Sequence, residues 1–360
     1  MTLTLKIKLE RKHEEARILS LIYTIISVLL GLLVSGLVLA IHGVDLVQAY
    51  GIMAFQVFGT AIGLSEAIVR AIPIALCGIG LTVAFKAKMW NIGAEGQLLM
   101  GAIVTTGLAL YLNELPRYIM IPLIFIGGFT MGALWGIIPA LLRAYFNINE
   151  VIVTTMMNYI AMELVRYLIF GPWRGAKEWG YPITDEISDT AKLMAIPGTR
   201  IHIETLLICL ISALAVYFIM NKTVFGYEVK VVGENPDAAK YAGISFTRIA
   251  ILSMLISGGL AGIAGTGEVA GIHHRLRYPE SISMGYGFTA IIAAWLARLN
   301  PIGVLLTSLF FGGLTVSGHL MKMIFRLPVA VVNVFNGVVL LSILIADLMT
   351  RYRIEVVLER

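Results

Sequence analysis

Long apolar runs fill this chain, and short clusters of charge, proline and glycine separate them. Runs at about residues 18–41, 71–87, 98–112, 119–145, 151–170, 203–220, 249–271, 288–297, 301–318 and 328–349 predict ten helices. Several reach the roughly 20 residues a helix needs to cross a bilayer, and the runs at 98–112 and 288–297 are shorter. Between the first and second helices, Leu46 to Arg70 mixes Gln48, Gln56, Ser65 and Glu66 with Phe55, Phe58 and Ile62, the pattern of an amphipathic segment on the outer side. Two glycine-rich breaks stand out. The first, Asn91-Ile92-Gly93-Ala94-Glu95-Gly96-Gln97, puts two amides and a carboxylate into seven residues. The second is Gly285-Tyr286-Gly287-Phe288.

The first break has two readings. It is a tight cytoplasmic turn anchored by Lys86 and Lys88, or a broken helix carrying polar groups at membrane depth. In the second reading Asn91 caps a new helix and Glu95 sits in its first turn, where the dipole favours a carboxylate. The short run that follows favours the broken helix. Helices two to five start outside and helices seven to ten start inside, and each set is interrupted between its first two members. Paired interruptions in oppositely oriented halves point to a site at an inverted-repeat interface.

Composition agrees with the pattern. Hydrophobic residues make up 58% of the 360 and charged residues 14%, which defines an all-α polytopic membrane protein and excludes a soluble globular chain. The whole chain, 1–360, reads as one transmembrane domain. It has a basic cytoplasmic segment at 1–17, an external loop at 171–202 and an internal loop at 221–248, with both termini inside. The formal charge of +5 comes from anchoring lysines and arginines and gives no reason to expect nucleic acid. Cys77 and Cys209 lie in apolar runs and imply neither a disulfide framework nor a metal site. No His/Cys/carboxylate cluster has metal-ligand spacing, and no nucleophile–base pair is supported by a motif. The chain also lacks a glycine-rich loop ending in Lys-Ser or Lys-Thr, so it does not cradle nucleotide phosphates in that way.

The internal loop carries a fully punctuated short helix, Gly233 to Ile244. Asn235 caps it, Pro236 takes the first position, Asp237 follows and Gly243 ends it. Ala238, Ala239 and Ala242 predict a flat small-residue face that docks into a groove on a partner, with Lys240 and Tyr241 beside it. Other polar groups fall within the apolar runs. Glu163 and Arg166, three apart on a helix, pair with each other. Glu268 has no local partner and either lines a polar cavity or faces solvent near the outer mouth. Asn158, Asn333 and Asn336 glue helices together or touch substrate. Tyr286 and Phe288 stack on a base or anchor the interface. His273 and His274 are expected to be solvated in an external turn.

Phe85-Lys86-Ala87 with Asn91–Gln97, then Gly233-x-Asn235-Pro236-x-Ala238-Ala239-x-Tyr241-Ala242-Gly243-Ile244, Gly285–Thr289 and Asn300-Pro301-x-Gly303, occur in one order and spacing. From helix two to helix ten the chain resembles the permease subunits of ABC importers for nucleosides, within the wider simple-sugar and branched-chain amino-acid permease group. The resemblance implies a fold similar to the vitamin B12 importer permeases. It implies a second, related permease chain (different or identical), a cytoplasmic ABC ATPase and an external substrate-binding lipoprotein, in the cytoplasmic membrane of a prokaryote. ATP would be used by the ATPase, leaving this chain without cofactor or enzymatic activity. Gly233, Asn235, Pro236, Ala238, Ala239, Tyr241 and Gly243 would form the coupling helix. Asn91, Glu95, Gln97, Asn158, Tyr286, Phe288, Asn333 and Asn336 would lie on the substrate path. Sugar-transporting relatives typically differ at Asn91–Gln97, which favours nucleosides. The alternatives are a simple-sugar importer and an ion-coupled secondary transporter in which Glu95 or Glu268 carries a proton.

Overall fold

In the computed structural model, the described residues are 4–11, 17–176, 180–328, 330–331, 334–335, 337–342, 345 and 352–359. Asn333 and Asn336 lie outside them. The chain divides into two compact units, one formed by Met1–Thr60 with Leu314–Arg360, the other by Ala61–Gly313.

In the first unit, strand β1 (Thr4–Arg11) pairs antiparallel with β2 (Tyr352–Glu359) in the register Thr4↔Glu359 to Arg11↔Tyr352. This pairing brings the two ends of the chain together and was not anticipated from the sequence. Its register sets Leu5, Ile7 and Leu9 opposite Leu358, Val356 and Ile354, so the two apolar alternations coincide. Helix α1 spans Arg17–Ile41 and α2 Leu46–Phe58. Leu29–Ile41 and α2 are bent by 119° across a turn in which Gly43 takes a left-handed φ of 74°. Asp45 caps α2 by accepting from the Gln48 N–H at 3.0 Å. The amphipathic segment expected at 46–70 is therefore split at Gly59–Thr60. Described positions between 330 and 345 are helical.

The second unit opens with α3 (Ala61–Lys86), which starts ten residues before the expected second helix. Glu66 and Arg70, expected in the amphipathic segment that leads into this helix, lie inside it, and each has a partner. Arg200 reaches Glu66 at 3.4 Å, and Arg70 donates to the Tyr286 hydroxyl at 2.8 Å. There follow α4 (Ala94–Tyr111), α5 (Arg117–Phe146), α6 (Glu150–Phe170), α7 (Ile203–Lys222), α8 (Val224–Glu234), α9 (Pro236–Tyr241) and α10 (Phe246–Gly267). A π-helical turn at Glu268–His273 extends α10, and α11 (Pro279–Ile282), α12 (Tyr286–Leu296) and α13 (Pro301–Ile324) complete the order, the residues of α13 from Leu314 on being counted with the first unit.

Helix α10 is the hub, packed against α3, α4 and α5. Its glycines let backbones touch. A Cβ at Gly258 would overlap the Gly132 carbonyl, at Gly262 that of Gly128, and at Gly265 that of Leu98. Thr105 and Thr266 join α4 to α10 through hydroxyls 2.8 Å apart. The described residues between 180 and 202 form a cover, in which Ile187, Ala191 and Leu193 are buried. Thr184, Ile187 and Leu193 donate backbone N–H groups to the carbonyls of Leu276, His274 and Ala270 at 3.1, 2.9 and 3.0 Å. His273 and His274, expected in solvent, are half-buried, with this cover bonded to the backbone around them. Five described helices are long and apolar enough to cross a membrane: α3, α5, α7, α10 with its π-turn, and α13. The bent pair in the first unit would make six.

Candidate functional site: a joint between two broken helices

Helix α3 stops at Lys86, and the chain turns through Lys88 at a left-handed φ of 54°. It runs without helix from Met89 to Ile92 and re-enters helix at Ala94. Asn91 was expected to cap α4. The N-cap is Gly93, without a side-chain bond, because Asn91 stands two residues too early. Its Oδ1 instead accepts from the Gly93 N–H at 2.9 Å, and its Nδ2 donates to Gln97 Oε1 and Ser257 Oγ, both at 2.9 Å. The Gln97 amide returns a bond to Asn91 Oδ1 at 3.1 Å.

Helix α6 holds the other side of this linker. Asn158 Oδ1 accepts from the Gly96 N–H at 2.8 Å, and its Nδ2 donates to the Ile92 carbonyl at 2.9 Å. One turn earlier Thr154 accepts from the Ile92 N–H at 3.3 Å, and one turn before that Glu150 accepts from the Trp90 N–H at 3.4 Å. Arg143 holds Glu150 in place at 3.3 Å. Backbone groups outside regular structure must find partners when buried, and this stripe, spaced four by four along α6, supplies them.

Glu95 connects the two breaks. Its carboxylate accepts from the Gly285 N–H at 3.0 Å and the Gly287 N–H at 2.7 Å, at the start of α12. The first N–H groups of a helix have no partner within it and carry the positive end of its dipole. A carboxylate from a neighbouring helix meets both needs. Gly285 has φ +76°, and a Cβ at Gly287 would overlap the Glu95 backbone, so this approach requires glycine twice. At the far end of α12, Trp295 stacks on Trp90 and Phe85 with ring centroids 5.6 and 5.8 Å away. The linker and α12 are thus fastened at both ends.

Asn91, Glu95, Gln97, Asn158 and Tyr286 are brought together, and none is more than 2% exposed. Each polar group among them is satisfied by another part of the fold. Phe288, by contrast, is 42% exposed. Ser257, Thr154, Glu150 and Arg70 belong to the same assembly and were not singled out from the sequence; the 150/154/158 spacing was the signal for two of them. Glu163 and Arg166 pair as expected, and Arg166 also bonds Glu280.

The internal helix is α9, entered from α8. Gly233 packs on the end of α3, where a Cβ would overlap the Lys86 carbonyl. Asn235 accepts from the Asp237 and Ala238 N–H groups at 3.1 and 3.0 Å, and Gly243 follows the helix at φ +75°. Pro236 opens it. The flat alanine face does not form as expected: Ala239 is 2% exposed and turns into the chain, whereas Ala238 is exposed and Tyr241 is 94% exposed. Six residues make under two turns, so successive alanines cannot share one face.

An enclosed joint between two interrupted helices, set among spans that meet through glycine, defines a multi-pass membrane permease. Comparison with known proteins agrees. Residues 63–344 match the family described as the permease component of the branched-chain amino acid transport system. A glucose ABC transporter permease of Haloferax volcanii is 36% identical over 93% of this chain and 90% of its own length. A guanosine ABC transporter permease of Bacillus subtilis is 33% identical (91% and 94%), and a nucleoside ABC transporter permease of Lactococcus lactis is 32% identical (80% of each). Each of these organisms also has a second, more distant matching permease, 24–26% identical. No solved structure matches. The chain belongs to this permease family.

Proposed function

We propose that this chain is one of two permease subunits of an ATP-driven importer in a prokaryotic cytoplasmic membrane, and that its cargo is nucleosides. The observation that carries the coupling half is α9. It is capped at Asn235, presents Ala238 and Tyr241 outward, and is joined through α8 to Gly233 on the end of α3. A cytoplasmic ABC ATPase seated there would act on the linker at its first residues. The chain has no phosphate-cradling loop of its own, so ATP would be spent on that partner. Both termini, paired through β1 and β2, would lie on the cytoplasmic side, and the ten-helix, B12-importer-like topology expected from sequence belongs to this reading.

Nucleoside cargo is supported by the guanosine and nucleoside permeases among the relatives and by the Asn91–Gln97 motif. The Haloferax relative, named for glucose, is the specific reason to keep a simple sugar as the second reading. A second, different permease chain is supported by the paired matches within each organism. An external lipoprotein would deliver the cargo to a cavity between the two chains. Asn91, Glu95, Gln97 and Asn158, with Tyr286, would frame the path by fixing its joint, Phe288 would be the aromatic open to a base, and Asn333 and Asn336 would add amides.

Deleting the gene and following uptake of labelled guanosine, uridine and glucose tests the cargo. Loss of nucleoside uptake with glucose uptake intact is the expected result. Loss of glucose uptake alone would transfer the assignment to sugars.

A further inference from the structure

Helix α6 has two faces. One is buried and holds the linker through Glu150, Thr154 and Asn158. The other is open. From Tyr159 to the end of the helix its exposed residues are Tyr159, Ile160, Glu163, Tyr167 and Phe170. The helix has 21 residues, enough to cover the roughly 30 Å of a bilayer core. Glu163 stands about 20 Å along it from Glu150 and about 10 Å from Phe170, well inside that thickness. Length is therefore not what keeps α6 out of the five helices apolar enough to cross a membrane; composition is. Helix α7 shows the contrast. From Leu207 to Phe218 its exposed residues carry no charge and, apart from Tyr217, no polar group, as a face turned to lipid requires.

The Glu163 side chain is 67% exposed even though Arg166 pairs with it. The same guanidinium bonds Glu280 of α11, and Tyr278 meets Phe170 edge-on with ring centroids 5.8 Å apart, so α11 is held against this face at two points. Each carboxylate gives one oxygen to Arg166 and keeps the other free among the described residues. Charged groups at this depth face protein or a water-filled space, because hydrocarbon offers them nothing. A dry contact would require the facing chain to bring a donor for every free oxygen and hydroxyl here, whereas water supplies them without any such match. Tyr159 and Tyr167 lie one turn to either side of Glu163. A fixed carboxylate between two exposed rings suits a neutral ring that carries hydroxyl groups: the hydroxyls donate to the carboxylate, and the rings stack. The joint offers no such surface, since its polar groups are buried and already bonded within the fold.

We propose that the open face of α6 lines a water-filled passage and that Glu163, held by Arg166, is a cargo contact there, accepting hydrogen bonds from the hydroxyls of a neutral sugar-containing cargo between Tyr159 and Tyr167. The inference rests on the permease reading and is the same for a nucleoside and for a free sugar. The test places single cysteines at Tyr159, Tyr167, Leu207 or Leu214 of the full chain, in cells of its own host so that its partners are present. The cells are treated with a membrane-impermeant methanethiosulfonate. Cys77 and Cys209 are buried, so the unmodified chain is the blank. A thiol reacts as its thiolate, which forms in water and not in lipid, so Tyr159→Cys and Tyr167→Cys should react at least about tenfold faster than Leu207→Cys and Leu214→Cys. Equal rates at all four positions would overturn the proposal. Should one tyrosine variant fail to accumulate, the other carries the comparison. Saturating guanosine or glucose should slow the two α6 reactions, guanosine if the cargo is a nucleoside and glucose if it is a sugar, and Glu163→Ala should abolish that protection. Protection by neither, or protection that survives Glu163→Ala, would remove Glu163 as a cargo contact. The uptake assay keeps the two readings apart. If deletion stops uptake of a cargo that does not slow labelling, this proposal alone falls; if deletion leaves both uptakes intact, the cargo assignment falls.

Discussion

Glu95 shows how one side chain can join two elements. Replacing it with alanine leaves two buried N–H groups at the start of α12 without acceptors, at a cost of about 2–6 kcal/mol. Glutamine keeps one acceptor oxygen and should lose about half as much. Calorimetric unfolding of the two variants in detergent would show this order, and equal midpoints would remove Glu95 from the joint. Asn158→Leu, close in volume, should cost about 2–6 kcal/mol by orphaning two groups, the Gly96 N–H and the Ile92 carbonyl. The polar members of this joint were legible in the sequence because amides and carboxylates are conspicuous in apolar runs. Their partners were not, because Gly285 and Gly287 bond through backbone N–H groups that every residue but proline carries. Glu66 and Arg70 lie within α3 rather than in a separate amphipathic segment ahead of it, with each charge answered inside the fold.

At the scale of elements, α9 separates two alanines that look equivalent in sequence. Ala238→Asp adds a charge to an exposed position and should abolish co-purification of an ATPase while leaving the unfolding midpoint unchanged. Ala239→Asp buries that charge and should lower the midpoint or prevent accumulation of the protein. If both variants lose the ATPase at an unchanged midpoint, α9 has been placed the wrong way round. The long helices of the second unit, α10 among them, were readable from the apolar runs. Which helices the α10 glycines meet was not readable, since close approach is a property of pairs. Gly262→Leu should therefore cost at least about 3 kcal/mol or block folding, since the Gly128 carbonyl occupies the space the side chain would need. The pairing of β1 with β2 escaped notice because each tail offers only one short alternating stretch, and long-range pairing leaves no local signal.

At the scale of the whole molecule, the cover at 180–202 should respond to acid in two stages. Burial holds His202 and His274 below the ordinary histidine value near 6.5, with Lys192 adding to the effect at His274. Their contribution to stability is complete above that value and is lost as pH falls below it and the neutral rings take up protons. Glu186 and Asp189 are held below their usual range, chiefly by hydrogen bonds from Lys192, so their share goes only in stronger acid, below about pH 4. Amide exchange at Thr184, Ile187 and Leu193 should thus be faster at pH 5.5 than at pH 7.5 once corrected for intrinsic rates. Unchanged protection would mean that the histidines do not hold the cover.

The linker and α12 also have a consequence for chain length. Helix α12 rises about 16 Å over its eleven residues, and the stretch from Trp90 to Glu95 runs between the same two attachments. Adding or removing one residue there shifts one attachment by about 3.3 Å, more than a hydrogen bond or a ring stack tolerates. Substitutions in this stretch can be absorbed one side chain at a time. An insertion or deletion cannot, so the linker behaves as a spacer of fixed length.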